Sequence, residues 1–318
     1  MRPALIPPLL ALAWGLNWPV VKIVLGTVQP FTFRWLGLGG GALLLALLAR
    51  AQRKALWPAR AAWPGILIGG ALTIVAFNFC TVFAQLNTST SRAAVLTYTM
   101  PMMSAALAWW FLGERPGRRG AMALLLGSLG IGVLAWPVFA GWAAGTDESM
   151  SGLVFPLLAA LGWAAGTVAS KRWPLIGERV VLTAWQLGLG ALCGGLAALL
   201  TGERLPLVWD WRVASALLYH VVIATAFAYV LWYRLLASSS ATIASLTTLA
   251  VPVVGVLGAM ALVGDRPNAL DWAGFVLVLA GAALVLVPAA GGSRRLDKLR
   301  HQRPLQCAPT EETSCTDK

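Results

Sequence analysis

Apolar runs of about twenty residues, separated by short polar breaks, recur along the whole chain, and they leave it one class of fold. The hydrocarbon core of a bilayer takes roughly 20 residues of helix to cross, and a helix satisfies every backbone amide within its own segment, which an isolated strand does not. Ten such runs are read, near 4–26, 30–49, 63–86, 91–112, 119–137, 152–170, 180–201, 213–236, 240–263 and 271–288. The chain is 58% hydrophobic and only 11% charged, against about a quarter charged residues in a soluble domain. An all-α integral membrane protein with ten transmembrane helices is expected, embedded in the lipid bilayer of the cell (inner) membrane.

The net charge of +12 does not call for nucleic acid, because the basic residues lie in the breaks and follow a topological rule. With both termini in the cytoplasm, 18 of the 24 Lys and Arg fall on the inner side, 5 on the outer side (Lys22, Arg92, Arg204, Arg212, Arg266), and Arg34 lies inside a span. An excess of basic residues in cytoplasmic loops sets orientation, so both termini are read as cytoplasmic. The first run follows a single Arg2, as a secretory leader would, but further apolar runs continue behind it and it is read as the first helix. Cys80 and Cys193 lie in spans and Cys307 and Cys315 in the polar tail, so no disulfide framework is implied.

The chain also repeats itself. At an offset of 151, AAVLTYTMP (93–101) falls on ASLTTLAVP (244–252), and Gly113-Glu114-Arg115-Pro116 falls on Gly264-Asp265-Arg266-Pro267. The same offset pairs Thr32, Gly37 and Gly39 with Thr183, Gly188 and Gly190, and an offset of 149 pairs Trp14 and Lys22 with Trp163 and Lys171. The reading is a first five-helix repeat over 1–138, an outer connecting loop over 139–151, a second five-helix repeat over 152–288, and a disordered cytoplasmic tail over 289–318. Five is odd, so the second copy enters the membrane from the opposite side. Inverted repeats of this kind underlie alternating access in many transporters; a duplication that merely built a stable bundle is the plainer account.

Four features, taken together, resemble the drug/metabolite transporter superfamily in its EamA-like branch: Ala13-Trp14-Gly15-Leu16-Asn17-Trp18 in the first span, Pro30 followed by Arg34 at the second, the two Gly-Glu/Asp-Arg-Pro span ends, and the duplicated five-helix plan. The resemblance covers about residues 1–290. It implies a permease, often an exporter of amino acids or related metabolites or of drugs, and leaves the substrate open.

Polar side chains inside lipid are costly, so they face a cavity or another helix. On that ground the candidate substrate-binding residues are Trp14, Asn17, Trp18, Arg34, Asn78, Thr97, Tyr98, Trp163, Gln186, Tyr229, Ser245 and Thr248. Asn17 either contacts substrate or forms an interhelical hydrogen bond. Arg34 either grips a substrate carboxylate in bidentate fashion or snorkels to the headgroups. Pro101 and Pro252 are candidate hinges, since a proline inside a helix frees the carbonyl four residues back, here Thr97 and Thr248; paired interruptions in the two halves point to a transporter site, while a kink satisfied by neighbouring helices is the alternative. Gly37-xxx-Gly41, Gly65-xxx-Gly69 and Gly190-xxx-Gly194 would bring helices close.

An enzyme is the competing class. The chain has two histidines, His220 in a span and His301 in the tail, and no HExxH, P-loop or nucleotide-binding glycine pattern. No catalytic residue, metal or cofactor is therefore expected. The expected partner is a small-molecule substrate, and the chain acts as a monomer or a homodimer. A flippase for a lipid or lipid-linked substrate stays open as the alternative function.

Overall fold

Every predicted apolar run is helical where the structure describes it, but several runs are not single helices. The structure is a computed structural model, which describes residues 5–88, 90–143, 150–174, 176–206, 209–239, 244 and 247–286; Ser245 and the predicted tail 289–318 lie outside the described residues. The first run divides at Leu16 into α1 (Ile6–Gly15) and α2 (Asn17–Leu25). α3 (Pro30–Ala51) is unbroken and starts on a proline, whose missing N–H costs nothing in a first turn. The third run is α4 (Trp63–Gly69), a π-helical stretch (Gly70–Ala76) and α5 (Phe77–Asn87). The fourth breaks at Tyr98 and Thr99, between α6 (Thr90–Thr97) and α7 (Met100–Leu112). α8 (Arg118–Ala143), α9 (Met150–Arg172) and α10 (Arg179–Thr201) follow. The eighth run repeats the third as α11 (Trp211–Tyr219), a π-helical stretch (His220–Phe227) and α12 (Ala228–Ser238). A 3-10 turn (Thr247–Ala250), α13 (Val251–Val263) and α14 (Ala269–Leu286) complete the bundle.

Among the described residues, seven helical stretches are long and apolar enough to cross a membrane: Ile6–Leu25, Pro30–Ala51, Arg60–Asn87, Ala93–Leu112, Met150–Arg172, Arg179–Thr201 and Trp211–Ser238. Shorter apolar helices lie at Val251–Val263 and Trp272–Gly281. The protein is an all-helical, multi-pass membrane protein. Large apolar side chains on its outside fit that setting, with Trp57, Trp110, Trp136 and Trp211 all more than half exposed. α8 runs to Ala143, so the predicted connecting loop 139–151 begins inside a helix.

The backbone of the second half repeats that of the first. π-helical stretches open at Gly70 and at His220. Both following helices end on an extended residue, Thr88 and Ser239. Gly113 and Gly264 both take left-handed backbone at φ 69° and 77°, and the next amide in each case, Glu114 or Asp265, bonds the carbonyl six residues back, Ala108 or Ala259. α3 and α10 correspond as well, but at an offset of 149 rather than 151. Their ends match through Lys54 N to Ala49 O and Glu203 N to Ala198 O, both 2.9 Å. The Thr32/Thr183, Gly37/Gly188 and Gly39/Gly190 coincidences are therefore two residues out of register, as repeated glycine and leucine readily produce.

Packing between the halves is reciprocal. α3 lies along α10 in the most extensive contact of the molecule, α9 packs on α5 and α7, and α1 with α2 packs on α12 and α13. A side chain at Gly41 would meet Leu187 and Thr225, and one at Gly190 would meet Leu38 and Ile74, which are the corresponding residues. Gly202, at φ 71°, caps α10 where Arg53, at φ 56°, caps α3. Gly202→Ala is expected to lower stability by about 1 kcal/mol through its left-handed backbone, read as a lower melting temperature in detergent; an unchanged value would show that the cap relaxes.

Candidate functional site

The break at Leu16 places three aromatic or amide side chains, Trp14, Asn17 and Trp18, on the inward side of the first span. They line a small cavity of about 50 Å³ together with Arg34 from α3, Phe77, Asn78, Thr81 and Gln85 from α5, Tyr98 from the break before α7, Met100 at the start of α7, and Trp163 from α9. That volume is well below the roughly 300 Å³ of a typical small-molecule pocket.

Arg34 organises its polar side. The residue is 3% exposed, donates from Nη1 to Asn78 Oδ1 at 3.1 Å and from Nη2 to Thr81 Oγ1 at 3.0 Å, and lies 4.8 Å from the Phe33 ring. Its Nε is buried without a partner, and no carboxylate among the described residues bonds to it. Snorkelling is thus replaced by an inward-pointing guanidinium held by neutral groups. Removing such a charge from water without a counter-charge costs several kcal/mol, which is why a buried intramembrane cation marks a functional site.

The neighbours of Arg34 are fixed in turn. Asn78 Nδ2 donates to Ile74 O at 2.9 Å and to the Tyr229 hydroxyl at 2.8 Å, and Thr81 Oγ1 donates to Asn78 O at 2.9 Å. Asn78 and Tyr229 are 151 residues apart, one of the offsets at which the sequence repeats. Trp14 and Trp163, 149 apart, also pair, edge to face with centroids 5.1 Å apart. Trp14 Nε1 donates to Ala224 O in the second π-helical stretch at 3.0 Å, and wide π turns of this kind gather at functional sites. Trp232, 5.0 Å from Trp163, completes the aromatic wall.

Eight candidates from the sequence therefore come together: seven line the cavity, and Tyr229 closes it through Asn78. Asn17 carries the interhelical bond, its Oδ1 2.8 Å from Nδ1 of His220, a buried residue against Phe33 that the sequence did not single out as a site. Thr81 was missed too, although its place three residues after Asn78 on one helix face was a usable signal. Gln186 lies elsewhere, donating to Gly65 O at 3.2 Å. Thr97 is buried and turned back on its own helix, Oγ1 to Ala93 O at 2.8 Å; Thr248 is also buried. Pro101 and Pro252 stand in the first turns of α7 and α13, directly after the breaks. The freed carbonyls thus belong to interrupted helices rather than to kinked continuous ones.

This chain matches the EamA-like transporter family twice, over residues 5–136 and over 150–287. It belongs to that family. An uncharacterized transporter of Bacillus subtilis is 23% identical over 286 residues, covering 89% of this chain and 91% of the relative. A protein of Salmonella typhimurium named as a probable amino-acid metabolite efflux pump is 28% identical over 286 residues, covering 86% and 91%. A solved crystal structure superposes with a TM-score of 0.70 at 21% identity, over 93% of this chain and 98% of that one, which shows a shared fold. The protein is a membrane transporter of the EamA type, and its partner is a small molecule.

Proposed function

We propose that this EamA-type protein exports small carboxylate-bearing metabolites, amino acids or related compounds, by alternating access around the cavity at Arg34. The observation that carries the reading is a buried guanidinium without a carboxylate partner among the described residues, lying beside two pairs, Asn78–Tyr229 and Trp14–Trp163, that join equivalent positions of the sequence repeat. A substrate carboxylate supplies the missing counter-charge, and the aromatic wall takes its apolar part. Trp14, Asn17, Trp18, Arg34, Asn78, Tyr98, Trp163 and Tyr229 form the binding set, and the breaks before Pro101 and Pro252 are the hinges. The name of the Salmonella relative supports the substrate class and the direction of flux.

The topology proposed is ten spans in two inverted five-helix repeats, with both termini in the cytoplasm of the inner-membrane protein. The two family matches and the reciprocal packing support two repeats. Polar contacts between loops support the sidedness, because each joins loops that the basic residues assign to one side. Lys54 pairs with Glu178, and the field of Glu114 reaches Lys171. On the other side Glu203 accepts from the amides of Phe31 and Thr32, Gln29 accepts from Arg204 N, and Ser91 donates to Asp265.

The test is exchange flux in proteoliposomes holding the purified protein, with labelled amino acids and other carboxylates against their amides and against empty liposomes. Saturable exchange of carboxylates, weakened by Asn17→Ala, is expected. Exchange of amides at equal rate would refute the carboxylate reading, and silence across the panel alongside movement of a labelled lipid would favour a flippase.

A further inference from the structure

A second cavity, of about 190 Å³, opens at the far end of α9 and is lined by Ser170, Lys171, Arg179, Tyr233, Leu236 and neighbours. Lys171 Nζ donates to the carbonyls of Leu236 and Ser239, closing the C-terminal end of α12. Arg179, the first residue of α10, is exposed, and its guanidinium has no partner among the described residues. No acid lines the cavity: adjacent Glu178 is paired with Lys54, and Glu114 acts on Lys171 from outside the lining. The pocket is thus cationic and half apolar, which suits a small organic anion rather than a cation.

Behind it lies a row of buried polar atoms without hydrogen-bond partners: Ser170 Oγ, Tyr233 OH, Thr73 Oγ1, Thr167 Oγ1, Gln186 Oε1 and Trp163 Nε1. Native proteins leave few such groups, and each calls for an explanation. These are not scattered. The Tyr233 hydroxyl interacts with the Thr73 and Gln186 side chains, but none of these contacts has full hydrogen-bond geometry. Gln186 Nε2 and Ser170 Oγ both lie against Gly69, 2.8 and 3.4 Å from where a Cβ would stand. Trp163, Thr167 and Ser170 follow one face of α9, and Tyr233 stands one turn from Tyr229 on α12, whose hydroxyl meets Asn78 beside Arg34. The row therefore connects the cationic pocket to the central cavity, and its groups are those that water and substrate would satisfy once the helices part.

We infer that the pocket at Ser170, Lys171, Arg179 and Tyr233 is a recruitment subsite for the substrate carboxylate, and that the unpartnered row is the closed lining of the path from it to Arg34. The inference rests on the transport reading above, which places this end at the cytoplasm, where an exporter loads.

Single cysteines test it in a background with Cys80, Cys193, Cys307 and Cys315 replaced by serine. Ala237→Cys reports the pocket and Thr73→Cys the row, with Thr167→Cys as the substitute should that buried variant fail to fold. The probes are anionic sulfonatoethyl methanethiosulfonate and cationic trimethylammonioethyl methanethiosulfonate, each corrected for its rate with a free thiol. In inside-out vesicles the anionic reagent is expected to modify Ala237→Cys about tenfold faster, as a focused positive potential does, and Arg179→Gln is expected to remove the preference. Thr73→Cys is expected to react in inside-out but not right-side-out vesicles. Equal rates, a preference that survives Arg179→Gln, or reaction of Thr73→Cys only from the outside would overturn the inference. So would a loss of the preference on adding phosphatidylglycerol to phosphatidylcholine proteoliposomes that exceeds the drop at Ala51→Cys, an exposed position at the end of α3 that reports the surface potential alone; that would make the occupant a lipid headgroup. Labelling needs no flux: charge-selective labelling without exchange would sink the transport reading alone, and exchange without it would sink the subsite alone.

Discussion

Arg34→Leu is expected to lower carboxylate exchange by a hundredfold or more, and Arg34→Lys by about tenfold, with the corresponding amides little changed. A hydrogen bond to a charged group contributes about 1.5–3 kcal/mol, and about 1.4 kcal/mol is tenfold in an equilibrium constant. Leucine removes the charge and every donor; lysine keeps the charge as a point but loses the planar edge that takes a carboxylate with two parallel bonds. In the resting state Nη1 and Nη2 hold Asn78 and Thr81, while Nε and the remaining N–H groups are left for a ligand. Leucine also strands Asn78 Oδ1, and lysine cannot reach both Asn78 and Thr81 as the guanidinium fork does, so some loss of stability accompanies each and flux must be normalised to folded protein by gel filtration. The readout specific to binding is the ratio of carboxylate to amide flux. Should Arg34→Lys keep both rate and selectivity, the guanidinium is a structural post for α5 and not a substrate ligand.

How much of this was legible in sequence follows from what hydropathy measures. Apolar runs report which residues avoid water, so the membrane class, the spans and the repeated Gly-Glu/Asp-Arg-Pro helix ends could be read directly. The offset of 149 also paired Trp14 with Trp163, which the structure brings into contact. Hydropathy is silent on which side of an apolar helix faces protein, since lipid and protein interior are equally dry. The inward direction of Arg34 and the pairing of Asn17 with His220 were therefore open. The π-helical stretches leave no mark in composition, yet each turns the residues after it in its own span; Gln186 lies on unbroken α10, whose inward side hydropathy does not report. The break at Leu16 lies between Gly15 and Pro19, whose missing N–H leaves the Gly15 carbonyl without its helical donor, a signal that hydropathy does not report.

Gly194→Val is expected to cost about 3 kcal/mol of stability or more, and Gly188→Ala, six residues away on the same helix, to cost nothing. A Cβ at Gly194 would stand 2.9 Å from the Trp35 amide nitrogen and 3.3 Å from the Arg34 carbonyl carbon. Those are backbone atoms inside α3, which cannot swing aside as a side chain does, so α3 and α10 must move apart along their whole contact. Overpacking in a well-filled core costs about 1–3 kcal/mol even where side chains can adjust, and membrane helices depend on close approach because lipid gives no hydrophobic drive to associate. At Gly188 a Cβ meets nothing within 4 Å, and alanine gains about 1 kcal/mol of helix propensity. The displacement also falls on the residue that carries the guanidinium. Gly194→Ala, the milder change, is therefore expected to lower carboxylate flux through Arg34 even where the protein still folds, whereas Gly188→Ala leaves flux intact. Melting temperature in detergent and exchange in proteoliposomes give the two readouts. Equal melting temperatures for Gly194→Val and Gly188→Ala would mean that the α3–α10 contact is loose and that these helices slide with room to spare.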